Sequence, residues 1–171
     1  AEVDLSPRAW LGAAVAIKDP THVDFRRHGG SNLLMVGQHD EMATGVLANC
    51  LISLAATVPA TNRNGSNNGV GSTARFLFLD GSRQSSGEQA FWESLTARLS
   101  VNVSLFSPRD VATALAQMAA ELDRRIAAGD ETAPPWFLFI YNLTRFRDLR
   151  RSDNDFGFSS LDDGKPESQA Q

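Results

Sequence analysis

The chain of 171 residues contains a single cysteine, Cys50, and this scarcity excludes several classes of protein. One cysteine can form neither an intramolecular disulfide nor a cluster of thiolates around a metal, so a reducing cytoplasm is the expected setting. Because Cys50 falls on the apolar side of its predicted helix, we expect it to be a small core residue.

The chain also lacks a long hydrophobic run and an excess of positive charge. Its longest apolar stretch, residues 46–58, is interrupted by Asn49 and Ser53 and is too short to cross a bilayer. The start of the chain has neither the basic nor the apolar region of a signal peptide. A formal net charge of -4 argues against a general coating for nucleic acid, though a local basic patch is compatible with it. We expect a cytoplasmic domain that does not itself insert into a membrane.

Two stretches of the chain contain too little apolar surface to offset the entropy of ordering them. Residues 59–73 are rich in Asn, Gly and Ser, and residues 152–171 are polar throughout most of their length. We therefore expect one domain over residues 1–151 with a flexible loop at 59–73, followed by a disordered tail or linker at 152–171.

Within the domain, short apolar runs alternate with segments of helical periodicity. Four runs bounded by turn residues have the pattern of strands buried on both faces of a parallel sheet. They cover residues 32–36, 75–79, 101–106 and 136–141, and a further run at 14–17 is expected to form an edge strand. Apolar residues at three- and four-residue spacing predict helices between the runs, one of them with Asp110 placed to cap it and Gly129 to end it. The pattern predicts an α/β fold with helices on both faces of a mainly parallel sheet.

The first predicted strand is followed by a turn in the position where a phosphate-binding loop lies in many α/β proteins. The P-loop pattern is Gly, four residues, Gly-Lys and then Ser or Thr. Counted from Gly37, the last position is Thr44, whereas Met42 and Ala43 stand where the second Gly and the Lys are needed. The candidate cofactor-binding residues of this residual loop are Gly37, Gln38, His39, Thr44 and Gly45.

The departures from the pattern weaken phosphate binding in two ways. Ala43 supplies no positive charge, and Met42 makes the turn of the backbone amides costly. Asp40 and Glu41 fall at the helix N-terminus, where carboxylates satisfy the free amides and repel a triphosphate. The alternative interpretation is that the segment is only a well-capped helix start.

Further motifs make residues 14–151 resemble the FtsK/SpoIIIE/HerA-type P-loop ATPases, which move DNA or, in type VII secretion, protein substrates. Residues 78–82 (FLDGS) look like the family's Leu-Ile-Asp-Pro-Lys motif, and residues 121–125 (ELDRR) are similar to its Glu-Met-x-x-Arg motif. Residues 141–146 (YNLTRF) stand where the family has Asp-Glu-Leu-Ala-Asp-Leu, the end of the Walker B strand.

The resemblance implies a three-layer RecA-like core of about four strands plus an edge strand. On the family's arrangement, the four core strands follow the order first, fourth, third, second. The Walker B Asp and Glu hold the magnesium shell and polarise the attacking water, and their positions carry Tyr141 and Asn142. Neither side chain replaces a carboxylate, so we expect no catalytic residues and no metal site in this domain.

The resemblance also implies a function, with two alternatives. We expect a catalytically degenerate domain that serves as a structural or regulatory module beside other ATPase domains of the same polypeptide or ring. No cofactor is expected, unless the altered loop still binds ATP with Mg²⁺ and a neighbouring subunit completes the site, which is the first alternative. The second is a DNA-contacting module.

The second alternative depends on the basic segment 144–151 (TRFRDLRR). Its candidate contacts to DNA or to a partner are Arg145, Arg147, Arg150 and Arg151. The other interpretation is a solvated amphipathic turn with Phe146 and Leu149 packed inward.

Overall fold

The computed structural model describes residues 6–26, 31–57, 74–129 and 133–149. Their elements are, in chain order, β1 (Arg8–Gly12), β2 (Thr21–Asp24), α1 (Asp40–Thr57), β3 (Arg75–Asp80), α2 (Gly87–Arg98), β4 (Asn102–Phe106), α3 (Val111–Ala128) and β5 (Trp136–Tyr141). Two 3-10 turns, Leu143–Arg145 and Arg147–Leu149, follow β5. The expected loop at 59–73 and tail at 152–171 lie outside the described residues.

The centre of the fold is a parallel sheet of three strands in the order β4-β3-β5. The predicted strands at 75–79, 101–106 and 136–141 are confirmed, but the predicted strand order is wrong. The expected order placed 136–141 beside 101–106, whereas β3 lies between them. The physical reason is burial: residues 76–79 of β3 are all buried, so this strand needs cover on both faces and both edges.

Helices cover both faces of this sheet, as expected. On one face, α1 and α2 pack against the aromatic side chains of β3 and β5, with Trp92 of α2 fully buried against Phe78. On the other face, Val111 and Ala114 of α3 pack against Leu77 and Leu79. The described residues thus form a three-layer α/β/α arrangement.

The two residues predicted to cap α3, Asp110 and Gly129, can be compared with the structure at the two ends of that helix. Gly129 has a left-handed conformation with φ of 59°, and its N–H donates to the carbonyls of Arg125 and Ile126, which confirms its role as the helix stop. Asp110 precedes the helix, but its carboxylate accepts from the N–H and hydroxyl of Ser107 rather than from a helix amide. The acidic residue closes the preceding turn instead of capping α3.

The predicted strands at 32–36 and 14–17 are wrong. Neither segment is in a strand, and Leu34, Val36, Val15 and Ile17 are largely or fully exposed. An apolar run becomes a strand only where a neighbouring strand pairs its backbone and a helix covers its side chains. Among the described residues, the sheet therefore has three parallel strands rather than about four, and the edge strand at 14–17 is missing.

An antiparallel hairpin that the sequence pattern did not indicate forms near the start of the chain. β1 pairs with β2, with an irregularity between Trp10 and Gly12, and Arg8 forms an ion pair with Asp24 at 2.6 Å. The guanidinium of Arg8 lowers the pKa of Asp24 below its ordinary value through this hydrogen bond.

The hairpin is held to α1 by the two polar residues that interrupt the helix's apolar run. The amide of Asn49 donates to the carbonyl of Trp10 at 2.9 Å, and the N–H of Trp10 donates to the hydroxyl of Ser53 at 3.0 Å. Cys50 is buried between them in the core, as expected, and burial raises the pKa of its thiol. In the described part of the chain, α1 and the other helices are too short or too polar to cross a bilayer.

Candidate functional site

The N-terminus of α1 lies at the carboxyl end of the parallel sheet. Thr44, in the second turn of the helix, donates a hydrogen bond from its hydroxyl to the phenolic oxygen of Tyr141 at 3.2 Å. Tyr141 is the last residue of β5, so this contact joins a helix start to a strand end across 97 positions of the chain. Ligands of open α/β sheets bind at this end, and we therefore take it as the candidate site.

Thr44 is the predicted loop residue for which the structure shows a contact with the sheet. Gly37, Gln38 and His39 lie in exposed backbone before α1, and the carbonyl of His39 accepts the first helix hydrogen bond from the N–H of Ala43 at 3.0 Å. Gly45 lies within α1 and is exposed, with open space where a Cβ would be. The five predicted residues therefore do not converge on one point.

Asp40 and Glu41 occupy the exposed first turn of α1. We expected their carboxylates to cap the helix amides, and in the described part of the chain neither makes such a hydrogen bond. Their charge still lies at the helix N-terminus, where it offsets the positive end of the dipole and disfavours a second anion.

Tyr141 fills the space at the end of β5 with an aromatic ring. The side chain is buried and packs against Trp92, with the ring centroids 5.4 Å apart. The phenol offers one oxygen, which Thr44 already contacts. The arrangement is suited to packing and not to coordination of a divalent cation.

The next residue, Asn142, has a left-handed backbone conformation with φ of 54°. Its carboxamide oxygen accepts a hydrogen bond from the hydroxyl of Thr144 at 2.6 Å. A left-handed non-glycine residue is uncommon, and Asn is among the residues that tolerate it best. The conformation turns the chain sharply into the 3-10 turns after β5.

The loop after β3 approaches this turn closely. A Cβ on Gly81 would lie 2.4 Å from the carbonyl oxygen of Tyr141 and 2.7 Å from that of Asn142, so only glycine fits. The carboxylate of Asp80 accepts from the N–H of Ser82 at 2.9 Å and so closes the turn after β3. Gly81 and Ser82 were not predicted as site residues, although an Asp-Gly-Ser sequence directly after a buried strand was a usable signal.

Two buried polar atoms in the described part of the chain have no hydrogen-bond partner, and both belong to residues near this end of the sheet. They are the hydroxyl of Ser82 and the indole nitrogen of Trp92. Buried polar groups without partners are uncommon because each loses its hydration without compensation. In the described core, the polar atoms that lack hydrogen-bond partners are therefore found near the carboxyl end of the sheet.

The basic segment after β5 is anchored by an aromatic side chain. Phe146 is buried against the α3 face of the sheet and Leu149 packs beside it, which confirms the inward packing predicted for an amphipathic turn. Arg145 and Arg147 are exposed on either side of Phe146. Arg150 and Arg151 lie outside the described residues, so the predicted contact surface is described only in part.

The family-like motif at residues 121–125 has a structural role at the opposite end of the sheet. Glu121 accepts from Arg124 at 2.8 Å and from Arg125 at 2.6 Å, and these hydrogen bonds hold the pKa of its carboxyl at about 2. Arg125 also donates to the carbonyl of Pro134 at 2.8 Å. The motif therefore ties the end of α3 to the segment that enters β5.

Within the described ranges, no three His, Cys, Asp or Glu side chains are grouped as metal ligands. Comparison with protein-family models, with curated proteins and with solved structures finds no match for this chain. The functional interpretation consequently depends on the geometry of the site.

Proposed function

We propose that this chain is a catalytically inactive P-loop-type domain of the FtsK/SpoIIIE/HerA kind, serving as a structural or regulatory module of a larger motor protein. The observation that carries the proposal is the contact between Thr44 and Tyr141. In P-loop NTPases, the loop Ser or Thr and the Walker B Asp together hold Mg²⁺. On the proposed alignment, Thr44 and Tyr141 stand at these two positions, and their side chains are hydrogen-bonded to each other.

The residues at the site do not fit ATP with Mg²⁺. The position of the Asp carries the buried phenol of Tyr141, and the position of the catalytic Glu carries Asn142, which cannot act as a base. Ala43 provides no cation for the phosphates, and Asp40 and Glu41 add negative charge where the triphosphate would lie. Positioning and charge stabilisation supply nearly all the catalysis in phosphoryl transfer, so a site without them is inactive.

The proposal extends to the setting of the module. The three-layer arrangement supports the α/β part of the family fold, while the RecA-like core beyond the three parallel strands remains part of the proposal. We place the module in the cytoplasm beside other ATPase domains of the same polypeptide or ring, where it contributes packing surfaces rather than hydrolysis.

Calorimetric titration of the whole chain with ATP and Mg²⁺ tests the proposal. We expect no heat of binding up to millimolar nucleotide, roughly the weakest affinity such a titration detects. Binding in the micromolar range that disappears in a Thr44→Ala chain would overturn the inactive assignment and favour a site completed by a neighbour.

A contact with nucleic acid is a second candidate function, favoured by the way Phe146 fixes its neighbours. Because this ring is buried, Arg145 and Arg147 project from an anchored turn rather than from a free tail. The test is a mobility shift of duplex DNA at low salt, followed over increasing salt. A shift that is lost on replacing Arg145 and Arg147 by Gln supports this function, and no shift at low salt ends it.

A further inference from the structure

β5 lies at one edge of the parallel sheet, and in the described part of the chain its outer side has no neighbouring strand. On its inner side, the N–H of Arg75 donates to the carbonyl of Pro135, and the N–H of Gly81 donates to that of Tyr141. Bonding to one neighbour alternates along a parallel strand, so the odd-numbered residues of β5 bond to β3. The even-numbered residues therefore point their backbone groups outward: Trp136, Leu138 and Ile140.

The sequence of β5 does nothing to protect this edge. Its six residues, WFLFIY, include no charged residue and no proline, and its pairing with β3 has no bulge. Native sheets use such devices to keep exposed edges from pairing with other strands. An edge that has none of them is explained if a strand of the same chain covers it for part of the time.

Residues 32–36 (NLLMV) have the properties of such a strand, although the structure places them outside the sheet. The segment is uncharged, and its exposure alternates from one residue to the next. Leu33 and Met35 are 37% and 39% exposed, whereas Leu34 and Val36 are 78% and 90% exposed. A period of two is that of an extended chain with one side turned towards the protein.

The residues on either side of this segment are fixed at opposite ends of β5. Before it, the ring of Phe25 packs edge-on against Phe137, near the start of β5, with the centroids 6.0 Å apart. After it, Thr44 is hydrogen-bonded to Tyr141, the last residue of β5. The connection from Phe25 to Thr44 therefore runs in the same direction as β5, so the segment can reach the outer edge in parallel orientation while both contacts are kept.

We propose that residues 32–36 are a strap that closes on the outer edge of β5 as a fourth parallel strand, in a second conformation of this chain. With Leu34 beside Leu138, residues 37–39 remain to reach α1 at Asp40, within the usual length of a connection from strand to helix. Closure pairs the outward backbone groups of β5 and covers Leu138, which is 37% exposed. Because the strap leads into α1, closure also brings residues 37–39 beside the carboxyl end of β5, whether or not a nucleotide binds there.

A disulfide between the strap and β5 tests the closed state directly. Leu34→Cys with Leu138→Cys places two thiols on neighbouring strands, within the Cα separation of about 4.4–6.8 Å that a disulfide requires. The native Cys50 is buried and does not compete. We expect an intrachain disulfide under mild oxidation, identified by mass spectrometry after digestion.

The matched control keeps the strap cysteine and moves its partner. Leu34→Cys with Leu122→Cys pairs it with an exposed position on α3, away from the sheet edge. This chain should stay reduced under the same conditions.

Two proline variants separate pairing from a general effect of proline in the strap. With Leu34 beside Leu138, the N–H of Met35 donates to the carbonyl of Leu138 on closure, whereas the N–H of Leu34 points outward. In the unmodified chain, the amides of Leu138 and Ile140 should exchange with deuterium at least roughly 10-fold more slowly than in an unstructured chain. Met35→Pro should abolish this protection, and Leu34→Pro should keep most of it.

Three results would overturn the proposal. The first is a double-cysteine chain at positions 34 and 138 that forms no more intrachain disulfide than its control. The second is a disulfide that joins two chains, which indicates strand exchange between copies. The third is unprotected exchange at Leu138 and Ile140 in the unmodified chain, or equal effects of the two prolines. Circular dichroism of every variant checks that the fold is retained.

Discussion

The two ends of the parallel sheet are built in different ways. At the amino end, two guanidinium groups lie over the ring of Trp136, with Arg75 at 5.2 Å and Arg125 at 5.9 Å from its centroid. At the carboxyl end, a left-handed Asn142 adjoins Gly81 at a distance only glycine allows, and the hydroxyl of Ser82 is buried without a partner in the described structure.

The contacts that stabilise the fold and the backbone that shapes the candidate site thus lie at opposite ends of the sheet. Charged groups at the amino end are paired: Arg125 contacts Glu121, Pro134 and the Trp136 ring together. At the carboxyl end, the left-handed conformation of Asn142 and the unpartnered hydroxyl of Ser82 lower the folding stability. Strained backbone of this kind is often found at functional sites, and the carboxyl end of the strands is where open α/β sheets bind ligands. In this chain they adjoin the contact between Thr44 and Tyr141, two uncharged side chains.

The largest loss of folding stability is expected from a substitution that creates a steric clash at the carboxyl end of the sheet. Gly81→Ala brings a methyl group against two carbonyl oxygens of the neighbouring strand end, which cannot move without breaking the β3–β5 pairing. We expect a loss of about 3 kcal/mol in the free energy of unfolding, or failure to fold. Urea unfolding followed by circular dichroism measures it.

Gly45→Ala is the matched control, since the same methyl group meets nothing there. It should raise the free energy of unfolding by about 0.5–1 kcal/mol through helix propensity. Equal effects of the two substitutions would contradict the close approach described for Gly81.

A smaller loss is expected at the amino end. Arg125→Met keeps the aliphatic packing but removes the donor to the Pro134 carbonyl, the partner of Glu121 and the cation beside Trp136. We expect destabilisation by about 1.5–2 kcal/mol, the lower part of the range for hydrogen bonds to charged groups. An unchanged urea midpoint would show that the amino end does not hold the sheet as described.

Glu121, at the amino end of the sheet, should make the folding stability depend on pH. Hydrogen bonds from Arg124 and Arg125 hold the pKa of Glu121 at about 2, against an ordinary value of 4.5. Folding thus favours the ionised carboxyl: this contribution is complete above pH 4.5 and is lost as pH falls towards 2. The melting temperature of Glu121→Gln should fall less steeply in this range, and parallel curves for the two chains would exclude the assignment.

The smallest effect is expected for the buried hydroxyl at the carboxyl end. Ser82→Ala removes a polar atom with no partner, so unfolding free energy should change by less than about 0.5 kcal/mol or rise slightly. The measurement is again urea unfolding. A loss above about 1 kcal/mol would mean that the hydroxyl is hydrogen-bonded in solution and that this end is as well satisfied as the other.

Parts of the chain with a one-dimensional pattern were predictable. The strands at 75–79, 101–106 and 136–141 and the helices between them follow from apolar runs and helical spacing, and Gly129 follows from its place after a helix. Strand order was not predictable in this way, because pairing depends on which strand is buried on both faces. The apolar run at 32–36 shows the limit, since a suitable pattern without a neighbouring strand remains exposed.

The hairpin and the site depended on contacts that no local pattern reveals. The only sequence sign of β1 was the interruption of the α1 apolar run by Asn49 and Ser53, which bind the backbone of Trp10. The pairing of Thr44 with Tyr141 joins residues far apart in the chain, and only the alignment with a family motif brought both positions into view. The fold requires glycine at position 81 because the carbonyl oxygens of Tyr141 and Asn142 lie close to it, and no sequence pattern shows that approach.

The proposed function depends on the contact between Thr44 and Tyr141. A double-mutant cycle with Thr44→Val and Tyr141→Phe, measured by urea unfolding, tests this most directly. We predict a coupling free energy of about 1 kcal/mol, as for a hydrogen bond between neutral groups. Strictly additive effects of the two substitutions would contradict the contact and remove the main support for the proposed function.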